Sequence, residues 1–244
     1  MGFLTAPDGV PSGSVRSPPR SKEKIGYSFF VIDYDELAHR GWTTVSRINS
    51  CDELLNLAKS LGTPLQAPTG ELIKRLTVKP AAEARAGTLS ATFGAKSFPL
   101  HTDTAFWSIP ARYLVMRVHG DYRRSTTVLS FKRMFRDLRF DISDDVRRSV
   151  WVVRTPLASR YRMMQFQVGI SVGWRYDRQC MYPINQAARA VAHCLETARD
   201  QSAIERVVWS RGKAIVLANW DVLHGRGAEP YKEGERVLER IYVN

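Results

Sequence analysis

The sequence is poor in cysteine and contains no long apolar run. Its three cysteines, Cys51, Cys180 and Cys194, form no CxxC pair and cannot all pair with one another, so we expect reduced, buried thiols. No run approaches the roughly eighteen apolar residues of a transmembrane helix. The N-terminal residues lack the basic region and the apolar stretch of a signal peptide. These absences predict a cytoplasmic protein without a membrane span.

Acidic residues are also scarce, with 24 Asp and Glu against 36 Lys and Arg, which gives a formal net charge of +12. Such a charge suits nucleic acid, an acidic partner protein or an anionic small substrate, and composition alone does not choose among them. The basic residues are scattered through 122–140 and 147–162 and form no uninterrupted tract. A solvated basic surface is the simplest interpretation.

The chain is predicted to form one domain behind a leader. Residues 1–25 are rich in Pro, Gly, Ser and charge, which predicts a mobile leader. Residues 26–244 are long enough for a single large core, since 44% of the whole sequence is hydrophobic.

Short strand-like segments dominate the rest of the chain. Residues 50–62 predict a helix with a capping box, Ser50 and Glu53, and residues 185–199 predict a second helix. The pattern indicates a mainly β protein with helical inserts, either a barrel or a sandwich. The predicted strands are 27–34, 71–79, 89–96, 111–120, 125–131, 150–156, 162–169, 205–210, 213–225 and 236–243.

Residues 100–107, "LHTDTAFW", hold a histidine and an aspartate two positions apart. On a strand, alternate side chains point to the same face, so His101 and Asp103 are expected to converge. Phe106 and Trp107 follow and could wall the same space. A metal site, an acid–base pair and a hydrogen-bonded structural pair all fit this segment taken alone.

A second histidine, His224, lies in "NWDVLHGRG" at the end of an apolar strand and beside Gly225. Two histidines and one carboxylate are the ligand set of the facial triad that binds non-haem Fe(II) and leaves coordination positions open. Downstream, Arg236 and Arg240 are four residues apart and would share one face of a strand. A buried guanidinium there could bind a carboxylate through two hydrogen bonds.

With these residues in place, the sequence resembles the taurine dioxygenase and γ-butyrobetaine hydroxylase superfamily (TauD/TfdA-like) of Fe(II)/2-oxoglutarate-dependent oxygenases. The resemblance rests on "HTDTAFW", a threonine in "RRSTT", the "NWDVLHGRG" block and the arginine pair of "RVLER". It runs from about residue 85 to the end, and the first 85 residues match only loosely.

The resemblance implies a double-stranded β-helix (jelly roll, cupin-like) with iron at its mouth. It makes His101, Asp103 and His224 the metal ligands. Arg236, together with Thr127, would bind the C5 carboxylate of 2-oxoglutarate. The family's Gly-Gly-Asp-Thr segment is "RRSTT" here, so the choice between Thr126 and Thr127 stays open.

Substrate contacts are predicted less directly. Arg240 matches the position that faces the anionic group of the substrate in taurine dioxygenase. Phe106 and Trp107 could form a substrate cage or pack in the barrel, and Arg226 could touch 2-oxoglutarate or form a structural salt bridge. Arg175 and Tyr176, in "WRYDRQCMYP", resemble a segment that lines the site in relatives.

The implied activity is an oxygenase that uses Fe(II), 2-oxoglutarate and O2 and releases succinate and CO2. It would hydroxylate an unactivated C–H bond of a small, anionic or amino-acid-like substrate, in natural-product biosynthesis; desaturation, cyclisation and epoxidation are also open. An acidic carrier protein could present the substrate. A nucleic-acid substrate is disfavoured because aromatic and basic residues do not interleave. A jelly-roll binding protein without catalysis is the remaining alternative.

Overall fold

The computed structural model describes residues 30–84, 88–120, 122–137, 142–197, 204–228 and 236–244. The expected leader, residues 1–25, lies outside them. The helices are α1 (Tyr34–Arg40), α2 (Cys51–Leu61), α3 (Leu89–Phe93), α4 (Phe131–Asp137), α5 (Ile142–Arg148) and α6 (Gln186–Thr197), with a 3-10 turn at Ala81–Glu83. The strands are β1 (Trp42–Val45), β2 (Pro64–Leu65), β3 (Lys74–Thr77), β4 (Tyr113–Gly120), β5 (Thr126–Ser130), β6 (Val150–Arg154), β7 (Ser159–Met163), β8 (Gln165–Val168), β9 (Ser171–Trp174), β10 (Met181–Pro183), β11 (Glu205–Val207), β12 (Ala214–Ala218), β13 (Val222–Arg226) and β14 (Arg236–Val243).

Two antiparallel sheets form the body of the molecule. The larger has the order β1-β12-β4-β14-β2, with β3 also paired to β14, and the smaller has the order β11-β5-β13. Apolar side chains from both sheets form one buried cluster, in which Leu114 and Met116 of β4 join Val128 of β5 and Val222 of β13. The sheets therefore pack face to face, as expected for a jelly roll.

A second core lies beside the smaller sheet. The three-stranded sheet β10-β6-β7 buries Trp151 and Val153 of β6 against helices α4, α5 and α6. The hairpin β8–β9 connects this sheet to the segment before β10. This layer supports the chain behind residues 101–105, since Tyr176 and Ala105 belong to the same apolar cluster.

Helices α1 and α2 cover the outer face of the large sheet. In α2, Leu54 and Leu57 are fully buried against Val115 and Val243 of the sheet. The Ser50 hydroxyl accepts the N–H of Glu53, and the Glu53 carboxylate accepts the N–H of Ser50, which confirms the predicted capping box. None of the helices within the described ranges is long and apolar enough to cross a membrane.

Four predicted strands differ from the structure: 213–225 is divided into β12 and β13 by a turn at 219–221, 162–169 is divided between β7 and β8, and two others do not form over their described residues. Residues 30–33 form no strand, and α1 begins at Tyr34 because the Asp33 carboxylate accepts the N–H of Glu36. Residues 89–93 form α3 instead of the strand expected over 89–96, with Thr88 as the N-cap. In both segments a capping side chain overrides a local preference for extended backbone. The mainly β fold with helical inserts is confirmed.

Strand β14 presents different chemistry on its two faces. Glu239 is completely buried on the outer face, where it accepts hydrogen bonds from Arg117 (2.6 Å) and Arg75 (3.0 Å). Burial raises the pKa of Glu239, but the hydrogen bond and charge of Arg117 outweigh it, so the pKa lies below the usual value. The neighbouring residues of the strand, Leu238 and Arg240, point inward between the sheets.

Replacing this carboxylate tests the outer-face ion pair. Glu239→Gln is expected to lower the free energy of unfolding at neutral pH by about 3–5 kcal/mol, because Arg117 loses its buried counter-ion. Since the folded pKa is depressed, the stabilisation is present above the ordinary glutamate pKa and is lost as the pH falls through the lower folded value. Urea unfolding measured from neutral to acidic pH should therefore show that the free energy of unfolding falls more steeply in the parent protein than in the variant.

The matched control is Glu71→Gln, which removes an exposed ion pair with Lys74. A surface pair of this kind contributes little to stability, because both charges stay solvated. Equal effects of the two substitutions would contradict the buried pair as a stabilising contact.

Candidate metal centre

The two histidines are joined through their backbones. His101 forms an isolated bridge with His224 of β13, in which each N–H donates to the other residue's carbonyl at 2.9 Å. Their rings lie 4.5 Å apart. The Nδ1 atom of His101 is 2.9 Å from the carbonyl of Pro99 and must donate to it, because a carbonyl only accepts. The Nε2 lone pair of His101 is therefore available to a metal.

Asp103 does not lie on a strand, so the expected strand alternation is wrong here. It belongs to a turn in which Thr104 adopts a positive φ of 57°. The buried Asn219 amide holds its main chain, accepting the Asp103 N–H and donating to its carbonyl, each at 3.1 Å. The same amide donates to Ala111 at 2.8 Å. A turn held by Asn219, instead of a strand, directs the carboxylate toward the histidines.

The three side chains could hold a metal ion. The Nε2 atoms of His101 and His224 lie 3.9 and 3.6 Å from the two carboxylate oxygens of Asp103. One donor atom from each residue falls within 4.8 Å of the others, and all three residues are buried. Metal bonds of about 2.1 Å can span such separations after small adjustments. Two imidazoles and a carboxylate are the donor set that suits Fe(II) with open positions.

The charge states also suit a metal. Burial raises the pKa of Asp103, but the guanidinium of Arg240 and the two imidazoles outweigh it and hold the pKa far below its usual value. Burial and the neighbouring His101 lower the pKa of His224. At neutral pH the site therefore presents an ionised carboxylate and a neutral His224, the forms that bind metals.

Arg240 contacts the carboxylate directly. Its NH1 group donates to both oxygens of Asp103, at 2.9 and 2.8 Å. Its Nε atom is buried and has no hydrogen-bond partner in the structure. The guanidinium thus neutralises Asp103 and keeps one donor for another acceptor.

A cavity of about 120 Å³ opens beside the two histidines. Arg236 and Arg240 both line it, as their shared face on β14 predicts. Arg236 is itself buried. The lining combines apolar side chains with polar and charged ones that could fix the orientation of a small-molecule ligand. The lining consists of Leu76, Thr77, Val78, Leu89, Ser90, Phe98, His101, Met116, Thr126, His224, Gly225, Arg226, Arg236, Leu238 and Arg240.

Thr126, and not Thr127, lines this cavity. The Thr126 hydroxyl is buried and accepts the indole N–H of Trp209 at 3.1 Å. Thr127 points to the other face of β5, where its hydroxyl lies against Gly225, so that a Cβ on Gly225 would approach it to 2.9 Å. Alternation along β5 therefore favours Thr126 for the role assigned to Thr127 from the sequence.

Arg226 lines the cavity while holding one of its walls. Its guanidinium donates to the carbonyls of Gly94 and Lys96 and lies over the ring of Phe98, 3.6 Å from the ring centroid. These contacts position the segment before His101. They differ from the salt bridge considered for Arg226 from the sequence.

Arg175 is remote from the cavity lining. It is buried, and its guanidinium donates to the carbonyls of Ala105, Trp107 and Ser108 at 2.6–3.2 Å. These contacts hold the loop that follows Asp103, while the substrate contact expected from the sequence stays a prediction.

Three other predicted substrate contacts do not reach the cavity lining. Tyr176 is buried against Trp151 and exchanges hydrogen bonds with Thr102, between the two ligands of the HxD pair. Phe106 is exposed, and Trp107 packs in the core between the sheets. Tyr176 and Trp107 therefore act through packing, the alternative considered for Trp107.

The sequence did not indicate the wall made by β3 and α3. Leu76, Val78 and Leu89 line the cavity although they lie in or beside the region that resembles the family only loosely. Their signal is the spacing of Leu76, on β3, and Val78, directly after that strand, which is paired to β14. Nothing in that pattern distinguishes a cavity wall from an ordinary core.

Comparison with solved structures supports the fold, while no family model and no curated protein matches the sequence. An asparagine oxygenase with Fe(II), 3-hydroxyasparagine and succinate is 18% identical, with a TM-score of 0.64 over 78% of this chain and 63% of that one. The non-haem iron oxygenase OrfP with Fe and α-ketoglutaric acid is 17% identical, with a TM-score of 0.67 over 86% and 77% of the two chains. OrfP with Fe, succinate and (3R,4R)-dihydroxy-L-Arg is 18% identical, with a TM-score of 0.65 over 86% of this chain and 78% of that one.

These likenesses establish the fold of the chain. It shares the double-stranded β-helix of non-haem iron oxygenases. The chain spans less than two thirds of the asparagine oxygenase structure.

Removing the amide that holds Asp103 tests how the centre is built. Asn219→Ala is expected to weaken binding of Co(II), used as a spectroscopic probe, by about 10–100-fold, because the backbone of Asp103 loses the amide that holds it. The visible absorption of the bound ion measures the affinity. The matched control is Asn185→Ala, since the Asn185 amide likewise holds backbone groups, at Val150 and Arg148, on a different sheet. Equal loss of Co(II) affinity in both variants would contradict a specific role for Asn219.

Proposed function

We propose that this protein is an Fe(II)- and 2-oxoglutarate-dependent oxygenase that hydroxylates, or otherwise oxidises, a C–H bond of a small amino-acid-like substrate. The observation that carries the proposal is a buried two-histidine, one-carboxylate cluster whose histidines line one cavity together with the buried Arg236 and the partly exposed Arg240. The fold is that of structures containing iron with α-ketoglutaric acid or succinate.

His101, Asp103 and His224 would hold the iron. Bound there with 2-oxoglutarate, iron supplies the activation of O2 that oxidises a C–H bond, with succinate and CO2 as co-products. The charge of Arg240 keeps the carboxylate ionised, and the contact of His101 Nδ1 with the Pro99 carbonyl leaves Nε2 facing Asp103. Burial of all three ligands limits the access of water to the centre.

Arg236 and Thr126 would bind the C5 carboxylate of 2-oxoglutarate. Both are buried and both line the cavity beside the histidines. A guanidinium gives a carboxylate two parallel hydrogen bonds, and a hydroxyl adds a third. Leu238, between the two arginines of β14, and Met116 of β4 supply apolar contacts for the chain of the dicarboxylate.

An anionic group of the substrate would meet Arg240. The free Nε donor of Arg240 supports this role, and its NH1 contact with Asp103 places that group next to the metal. The compared structures hold hydroxylated asparagine and arginine, which supports an amino-acid-like substrate here. We further propose one domain over residues 26–244, a cytoplasmic location consistent with three free cysteines, and a role in natural-product biosynthesis. An acidic carrier protein could present the substrate.

The cofactor proposal is tested by anaerobic titration of the protein with Fe(II) and 2-oxoglutarate. A weak visible charge-transfer absorption is expected from the chelated keto acid. Thr126→Val should raise the 2-oxoglutarate concentration at half-saturation by about tenfold, the effect of one lost hydrogen bond to a charged group. Thr127→Val is the matched control on the same strand and should leave the 2-oxoglutarate concentration at half-saturation unchanged.

Other outcomes would contradict the proposal. A protein that only binds ligands would give no charge-transfer absorption. If Thr127→Val raises the 2-oxoglutarate concentration at half-saturation and Thr126→Val does not, then Thr127 and not Thr126 binds the C5 carboxylate. Oligonucleotide affinity that falls steeply with salt would favour a nucleic-acid substrate.

Substrate recognition is tested with a panel of amino acids and sulfonates, including asparagine and arginine, scored by substrate-triggered release of succinate. Arg240→Ala should weaken the response to the active substrate by about tenfold or more, because a charge-assisted contact is lost. At saturating Fe(II), the 2-oxoglutarate absorption titration should change much less, because the contact of Arg240 with Asp103 acts on the metal ligand and not on the cosubstrate carboxylate. An equal loss of both responses would reject Arg240 as a substrate ligand.

A further inference from the structure

The sheet β10-β6-β7 exposes an apolar outer face. Its register places Val152 of β6 between Tyr182 and Tyr161, and Val150 beside Met163. Residues directly opposite in antiparallel strands share a face, so these side chains form two adjacent cross-strand rows. Tyr161 is 70% exposed, and Tyr182 and Met163 are also exposed. Apolar and aromatic residues are thus concentrated on the solvent side of a sheet whose other side is core.

Strand β7 also has an open backbone edge in the described part of the chain. The N–H of Arg154 donates to Cys180, and Val150 accepts the N–H of Ile184, so the even-numbered positions of β6 bond toward β10. The odd-numbered positions therefore bond β7. By the register, the backbone groups of Tyr161 point away from β6, toward the open edge, where the carbonyl accepts one hydrogen bond from the Arg162 guanidinium at 3.0 Å and has a second lone pair for another donor.

Among the described residues, the inner side of the same edge carries positive charge without acidic partners. Arg160 and Arg162 project to the face opposite Tyr161, and Arg160 is exposed. The Nε atoms of Arg162 and Arg175 are buried and have no hydrogen-bond partner within the described ranges. Burial and the neighbouring Arg162 lower the pKa of Arg175 to about 10. Residues 146–195 contain eight arginines and one acidic residue, Asp177.

We propose that β7 is a docking edge for an extended segment of an acidic partner protein, one that alternates apolar and acidic residues. Added as a fourth strand, such a segment would hydrogen-bond to the outward backbone groups of Tyr161. Its apolar side chains would extend the exposed rows, and its carboxylates would face Arg160 and Arg162 on the other side. This inference is independent of the proposed oxygenase activity.

Two other occupants fit less well. A second copy paired through β7 about Tyr161 would place Arg160 opposite Arg162 of the other chain, and like charges directly opposite destabilise a sheet. Single-stranded nucleic acid would require open aromatic faces for stacking. The Arg154 guanidinium already lies over the Tyr182 ring, 4.9 Å from its centroid.

The probe is a fluorescein-labelled peptide that alternates valine and glutamate, titrated with the full chain and followed by anisotropy. The expected result is saturable binding that a valine–lysine peptide does not show. Tyr161→Pro removes the outward N–H and should weaken binding by about tenfold, as should Arg160→Glu. Two control variants should leave the affinity for the peptide unchanged. They are Tyr161→Val, which keeps the N–H, and Arg47→Glu, which replaces an exposed arginine outside this sheet.

If circular dichroism shows that Tyr161→Pro is unfolded, amide hydrogen exchange provides a measurement on the parent protein. The valine–glutamate peptide should protect the amide of Tyr161. The proposal is overturned by absence of binding at millimolar peptide, by equal binding of the valine–lysine peptide, or by unchanged exchange at Tyr161. It is also overturned if sedimentation shows a dimer that Tyr161→Pro abolishes, or if an oligothymidylate binds in place of the peptide and requires Tyr161.

Discussion

The carboxylate of Asp103 can face two imidazoles because the amide of Asn219 fixes the backbone that carries it. That amide bonds both polar groups of the Asp103 main chain and reaches across to Ala111. The turn that contains Asp103 is further supported by the loop contacts of Arg175. A carboxylate buried in this way requires compensation, and the two imidazoles and Arg240 provide it.

The rest of the architecture serves the same small volume. The bridge between His101 and His224 joins the segment before the turn to β13, while β14 brings two arginines to the opposite side of the cavity. On the other face of β14, Glu239 is buried against Arg117, so the strand is anchored by charge on the outside and presents charge on the inside. One strand thus couples the stability of the large sheet to the geometry of the site.

The basic character of the chain has more than one structural origin. Several arginines serve internal contacts, as Arg226 does with the segment ahead of His101 and Arg175 with the segment after Asp103. Others, such as Arg160 on β7, are exposed and have no acidic neighbour in the described structure. A high net charge therefore does not by itself identify a partner, because buried and exposed arginines contribute to it equally.

The sequence by itself determined the types of residue at the site, their order and the mainly β fold, because donor chemistry and strand periodicity are local properties. The three residues it proposed as metal ligands, His101, Asp103 and His224, do lie together, and Arg236 lines the cavity beside the two histidines. Only the tertiary structure decided that Asp103 lies in a turn and that Thr126 rather than Thr127 faces the cavity. Those outcomes depend on strand register and on capping contacts between distant segments, which no local pattern encodes.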